Sequence, residues 1–183
     1  MLKFNSSKHE YTYGQKRLCS VSEVLDYSLG KFFSSNERLK DLGTDFHRIT
    51  RDYDNGIESE CPEEQKERLI QYKKFLVVYQ PKYLTIEQPV MDLDNGYAGT
   101  PDRVAIINNK CVILDLKRSS SVDKRYAYQT AAYKKLVEKS YSIKVDERWC
   151  VMITDKKFKI EPYRNEMDVV VFTQMLINYK NRN

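Results

Sequence analysis

The stretch Gly99-Thr-Pro-Asp-Arg-Val-Ala-Ile-Ile-Asn-Asn-Lys-Cys-Val-Ile-Leu-Asp-Leu-Lys-Arg-Ser119 reads as two apolar strands joined by Asn108-Asn109. Asparagine tolerates the left-handed backbone that a two-residue hairpin turn requires. With that turn, Ile107 pairs with Lys110, and the same register sets Asp102 directly opposite Asp115. Side chains alternate along a strand, so Lys117 shares the face of Asp115. Directly opposed Cβ atoms lie about 5 Å apart. Two ionised carboxylates at that spacing repel by about 3 kcal/mol at an effective dielectric of 20. Ordinary cross-strand pairs contribute only about 0.2–1 kcal/mol. The arrangement calls for a shared proton or a bound cation. A divalent ion is the simpler answer, because paired carboxylates suit magnesium or manganese. An Asp-x-Lys alone also occurs by chance in ordinary strands, and it is the cross-strand Asp102 that sets this one apart.

Outward from the hairpin, the chain reads as a single domain of 183 residues. Upstream, residues 1–80 read as a helical part. Ser20-Val21-Ser22-Glu23 forms a capping box that opens a helix to about Phe33. A second helix spans Asn36 to about Asp54, with Leu39, Leu42, Phe46, Ile49 and Tyr53 at three- and four-residue steps. Pro62 suits the first position of a third helix, which runs to Tyr79. Residues 81–163 hold the sheet. A strand over Tyr83–Met91, a turn at Asp94-Asn95-Gly96, strands over Tyr97–Ile107 and Lys110–Leu116, a helix over Val122–Ser140, and a hairpin of Glu147–Thr154 with Phe158–Tyr163 follow in order. Residues 164–183 carry a last helix, Glu166–Tyr179. The order predicts an α/β (α+β) fold with a mixed central sheet flanked by helices.

Composition narrows the function classes. Lys and Arg number 31 against 26 Asp and Glu, a net +5 that permits a nucleic-acid partner without demanding one. No apolar run is long enough to span a membrane, and Met1–Gln15 lacks the pattern of a signal peptide. A cytoplasmic protein with no membrane partner is expected. Cys19, Cys61, Cys111 and Cys150 show no paired spacing, so neither zinc nor a disulfide framework is favoured. They read as reduced core thiols.

Asp102 in Thr-Pro-Asp-Arg and Asp115-Leu116-Lys117 together resemble the PD-(D/E)XK nuclease signature. Two further pieces resemble the RecB-type, lambda-exonuclease-like branch: His47 in Gly43-Thr-Asp-Phe-His-Arg-Ile49, and a Gln-x-x-x-Tyr formed by Gln129 and Tyr133. The resemblance covers about Gly43 to Thr154 and implies a restriction-endonuclease-like αβββαβ core. It implies a metal-dependent deoxyribonuclease, most simply an exonuclease of DNA recombination, repair or phage DNA processing, acting on single strands or duplex ends. A structure- or sequence-specific endonuclease, and a non-cleaving nucleic-acid-binding subunit, are the alternatives. The ions would be Mg2+ or Mn2+, held by His47, Asp102, Asp115 and the Leu116 carbonyl. Lys117 would orient or deprotonate water, or neutralise charge on the phosphate. Many relatives carry a four-cysteine iron–sulfur cluster; the cysteines here do not match it, and none is expected.

Other residues are weighed beside these. Pairing of Asp94 with Tyr97 would set Glu87 opposite Val104, on the face of Asp102, as a further ligand or a solvent-facing strand residue. Gln129 and Tyr133 lie four apart on one helix face, with Arg125 a turn earlier; that face either presents donors to a phosphate or packs on the sheet. Ser119 and Ser120 precede a helix start, where hydroxyls and amides bind phosphate, with Ser121 as the cap. Arg103 points away from Asp102 and reads as structural. The 14 tyrosines could stack on bases, though most read as core or surface residues.

Overall fold

The computed structural model describes residues 1–5, 10–31 and 37–182. In chain order these form β1 (Leu2–Asn5), β2 (Glu10–Tyr13), β3 (Lys16–Ser20), α1 (Val21–Leu29), α2 (Glu37–Asp54), α3 (Glu63–Tyr79), β4 (Lys82–Ile86), β5 (Val90–Asp92), β6 (Tyr97–Gly99), β7 (Arg103–Ile107), β8 (Lys110–Lys117), α4 (Lys124–Tyr141), β9 (Glu147–Ile153), β10 (Phe158–Tyr163) and α5 (Met167–Lys180). Two mixed sheets result, in the orders β1-β2-β3-β6-β5 and β10-β9-β8-β7-β4. The arrangement is a restriction-endonuclease-like α/β fold.

The central hairpin has the expected register. Asn108 and Asn109 adopt φ of 50° and 62°, which turns the chain in two residues and pairs Ile107 with Lys110 and Arg103 with Leu114. β8 then alternates between two cores. Val112, Leu114 and Leu116 join Phe46 of α2 and Tyr72 and Phe75 of α3. Cys111 and Ile113 face the other way, toward Ala132, Leu136 and Val137 of α4 and Phe172 of α5. Because β9 runs parallel to β8, the carboxyl ends of these two strands lie together, at the end that carries Asp115 and Lys117.

Several expectations are corrected. The N-terminal part is not purely helical: three short strands precede α1, and β3 pairs in parallel with β6 through Cys19 opposite Tyr97. The single strands expected over Tyr83–Met91 and Tyr97–Ile107 are each broken in two. The chain changes sheets at Glu87-Gln88-Pro89 and again at Thr100-Pro101-Asp102. Pro89 and Pro101 lack the N–H that an uninterrupted ladder needs, and Glu87 has φ 46°. β4 therefore sets Thr85, not Glu87, opposite Val104. The capping box at Ser20 and Glu23 forms with both reciprocal bonds, at 3.0 and 2.7 Å. Its helix stops at Leu29 before Gly30 (φ 81°), short of Phe33, which lies outside the described residues, as does Asn36. Pro62 caps α3 rather than opening it. α4 starts at Lys124, capped by Asp123 rather than Ser121.

Candidate active site

Asp102 stands in the bend between β6 and β7, one step before the paired residues. The Arg103–Leu114 register extended by one residue sets it opposite Asp115. Its Oδ2 accepts a hydrogen bond of 2.7 Å from the Leu116 N–H, which fixes the carboxylate against β8. Its Oδ1 lies 3.7 Å from Nδ1 of His47. His47 reaches this point because Phe46 and Ile49, its neighbours on α2, are buried. The Lys117 Nζ lies 2.9 Å from both carboxylate oxygens of Asp115 and donates to Oδ1. The same ammonium is 3.4 Å from Oε1 of Gln129 and 5.0 Å from the centre of the Tyr126 ring. Gln129 in turn donates to the Tyr133 hydroxyl at 3.1 Å. The six sequence-derived residues thus form two sets of contacts, His47 with Asp102 and Asp115 with Lys117, Gln129 and Tyr133, joined through the Leu116 N–H of β8.

Electrostatics follow burial. The Asp115 side chain is 1% exposed and that of Asp102 is 17% exposed. Burial pushes the Asp115 carboxyl up to about 6; the Lys117 ammonium opposes this and the Asp102 charge adds to it. For Lys117, burial acts downward, but the attraction of Asp115 and Asp102 outweighs it and holds the group protonated. Burial, then the two carboxylates, keep the Tyr133 hydroxyl neutral. Cys150, opposite Asp115 on β9, is pushed up to about 12 by burial and by the Asp115 charge, so it is an inert core thiol.

One oxygen stands out. Oδ2 of Asp115 is buried and, with the Lys117 hydrogen bond directed to Oδ1, meets that ammonium at 2.9 Å only as an ion pair. A buried carboxylate oxygen without a donor is costly unless a cation meets it. Among the described residues, no three His, Cys, Asp or Glu side chains are gathered closely enough to hold an ion on their own. The expected ligand set of His47, Asp102 and Asp115 is therefore not gathered as three side chains; a magnesium ion bound through one or two carboxylates would take the rest of its shell from water and substrate phosphate oxygens. The donors present, Asp115, Asp102 and the Leu116 carbonyl, are hard oxygens and fit such an ion.

Other candidates are placed elsewhere. The Glu87 carboxylate lies 3.1 Å from Arg51 and 3.6 Å from Arg103, and its backbone N–H donates to the Asp102 carbonyl at 3.0 Å. Arg125 is engaged by Asp26 at 2.7 Å and by the Gly30 carbonyl. Ser119 accepts from the Ser121 N–H at 3.0 Å, and Ser120 is exposed beside it.

The sequence reading missed a buried network below Asp102. Arg103 is fully buried and donates to Asp54 at 2.6 Å and to the Asp102 carbonyl at 2.7 Å. Tyr72 donates to the same Asp54 oxygen at 2.6 Å and lies 2.8 Å from the Tyr83 hydroxyl. A strand arginine flanked by apolar residues was the available signal, since a buried guanidinium needs a carboxylate. Its partner is far upstream on α2, which no periodicity reveals.

No family model and no curated protein matches the sequence. Among solved structures, the alkaline exonuclease of Laribacter hongkongensis is similar, with a TM-score of 0.50 at 10% identity over 89% of this chain and 86% of that one. The complex of that exonuclease with dAMP is similar to the same extent, with a TM-score of 0.50 at 10% identity. At this identity the likeness is one of fold.

Proposed function

We propose that this chain is a divalent-metal-dependent deoxyribonuclease that removes nucleotides from DNA ends. One observation carries the reading: two acids, the buried Asp115 and Asp102 across the hairpin from it, stand at the end of β8 with the Lys117 ammonium 2.9 Å from Asp115. A core that only packed would have no reason to gather two acids at one end of a central strand. The fold shared with an alkaline exonuclease, one that also binds dAMP, supports nucleic acid as the substrate and favours the exonuclease form.

Asp115 and Asp102 would hold Mg2+ or Mn2+, with the Leu116 carbonyl completing the protein's share and His47 steadying Asp102. When bound, the ion supplies polarisation of the scissile phosphate and acidification of water. The Leu116 N–H keeps Asp102 from swinging away from β8. Lys117, held as an ammonium, donates to the attacking water or to the phosphate oxygen on which charge develops. Gln129 orients Lys117 through its Oε1, and Tyr133 fixes the Gln129 amide. Attack would be in line on a phosphodiester, and the resemblance to PD-(D/E)XK nucleases implies products that carry 5′-phosphates.

Release of labelled nucleotides from linear single- and double-stranded DNA with Mg2+ or Mn2+ tests the reading. Lys117→Ala should lower the rate by about 10²–10⁴ while the protein stays folded. Cleavage of a covalently closed circle as fast as of linear DNA would replace the exonuclease by an endonuclease. Undiminished cleavage by Lys117→Ala would sink the assignment of the lysine.

A further inference from the structure

Arg118 follows Lys117 directly. Alternation turns its side chain to the Leu116 face, where α3 packs, and there it meets Arg68 of that helix. Two guanidinium groups share this corner, and the Glu64 carboxylate near them forms no ion pair with either among the described residues. Arg118 makes no hydrogen bond or ion pair among the described residues, and its Nε is buried without a partner. The Nε of Arg68 is likewise buried and unpartnered; its terminal nitrogen reaches only the Glu64 carbonyl, at 3.3 Å. The nearby Glu64 carboxylate is 3.2 Å from Arg38 instead. Undonated buried N–H groups on two like-charged forks are satisfied together by one tetrahedral anion, which accepts from both.

We propose that Arg68 and Arg118 form a clamp for the DNA phosphate next to the scissile one, on the α3 side of the β8 end. The assignment rests on the nuclease reading, because it takes the strand to pass over Lys117.

The test measures binding of a fluorescein-labelled oligonucleotide to the metal-free protein across a salt series. Wild type is compared with Arg68→Gln, Arg118→Gln and, as a control at the far end of the sheet, Arg164→Gln. Each clamp variant should bind about fivefold or more weakly, with a salt slope smaller by about one, while the control changes neither. In phosphate-free buffer without DNA, the melting temperature of each clamp variant should hold or rise, because a repulsion is removed. A merely structural pair predicts the opposite, and a fall in melting temperature would overturn the clamp. If wild type cleaves DNA and the variants bind as wild type does, the clamp alone fails. If wild type neither cleaves nor binds DNA, the nuclease reading fails, and inorganic phosphate becomes the probe. Shifts of the Arg68 and Arg118 Nε–H resonances on phosphate titration would then uphold the anion site, and unmoved resonances would end it.

Discussion

The buried Asp115 carboxyl is the centre of the proposed chemistry, and its protonation is the first test at residue scale. In the metal-free protein this carboxyl sits at about 6, against an ordinary value of 3.8. Between those values the unfolded chain has released its proton while the folded chain retains it. The contribution of Asp115 to stability is therefore greatest below 3.8 and is lost as pH rises through about 6. A cation can replace the lost proton. Added Mn2+ should raise the melting temperature more at about pH 7.5 than at about pH 5, with metal affinity falling up to about tenfold per pH unit below the Asp115 value. An equal shift at both pH values would count against Asp115 as a ligand. Gly99 offers a second test. A Cβ there would lie 2.7 Å from Cε1 of Tyr133 and 3.0 Å from Cγ2 of Val21. Tyr133 is buried and has little room to move, so Gly99→Ala should cost about 1–3 kcal/mol by overpacking. Tyr133→Leu in the same background should recover part of that in a thermal melt. No recovery would show that the strain lies elsewhere.

Elements make the site rigid, and they divide into those the sequence displays and those it hides. The central hairpin was legible because its turn is two residues long and its register follows from counting. The Gln129–Tyr133 face was legible because helical spacing is fixed. The breaks between β4 and β5 and between β6 and β7 were not, because a proline marks an interruption without saying which sheet the chain joins next. Nor was the tie between α2 and β7, where Arg103 and Asp54 meet from distant parts of the chain. That tie sits under both His47 and Asp102, since Arg103 also holds the Asp102 carbonyl. Asp54→Asn would leave the buried Arg103 guanidinium with only the more distant Glu87 carboxylate, at 3.6 Å, as counter-charge. Urea unfolding should show a loss of about 3–5 kcal/mol. At temperatures where the variant remains folded, cleavage should also fall, because α2 no longer fixes the His47–Asp102 spacing. Full activity in the folded variant would make the network purely structural.

At the scale of the whole molecule, one sheet carries the acids and the other holds the bend from which Asp102 projects. The strands of that second sheet were the least legible part of the chain. β1 (Leu-Lys-Phe-Asn) and β2 (Glu-Tyr-Thr-Tyr) are four residues each, half of them polar or charged in β1 and two of them tyrosines in β2, and their stability comes from partners that local pattern does not name. Yet they reach the site. Tyr11 of β2 is buried against Leu18 and Ala98, and its hydroxyl lies 2.8 Å from Thr100 Oγ1, two residues before Asp102. Deleting residues 1–14 would uncover Leu18 and Ala98 and leave β3 as an open edge. Tyr11→Phe would remove the hydroxyl and with it the Thr100 contact. The deletion should lower the melting temperature by several degrees and reduce cleavage with it, whereas Tyr11→Phe should cost about 1 kcal/mol and leave the fold intact. If cleavage falls in Tyr11→Phe as far as in the deletion, the sheet acts on Asp102 mainly through that hydroxyl. If neither change touches cleavage at temperatures where both proteins are folded, the first sheet is an appendage, and the Asp102 bend is held by β7, β8 and the Arg103 network alone.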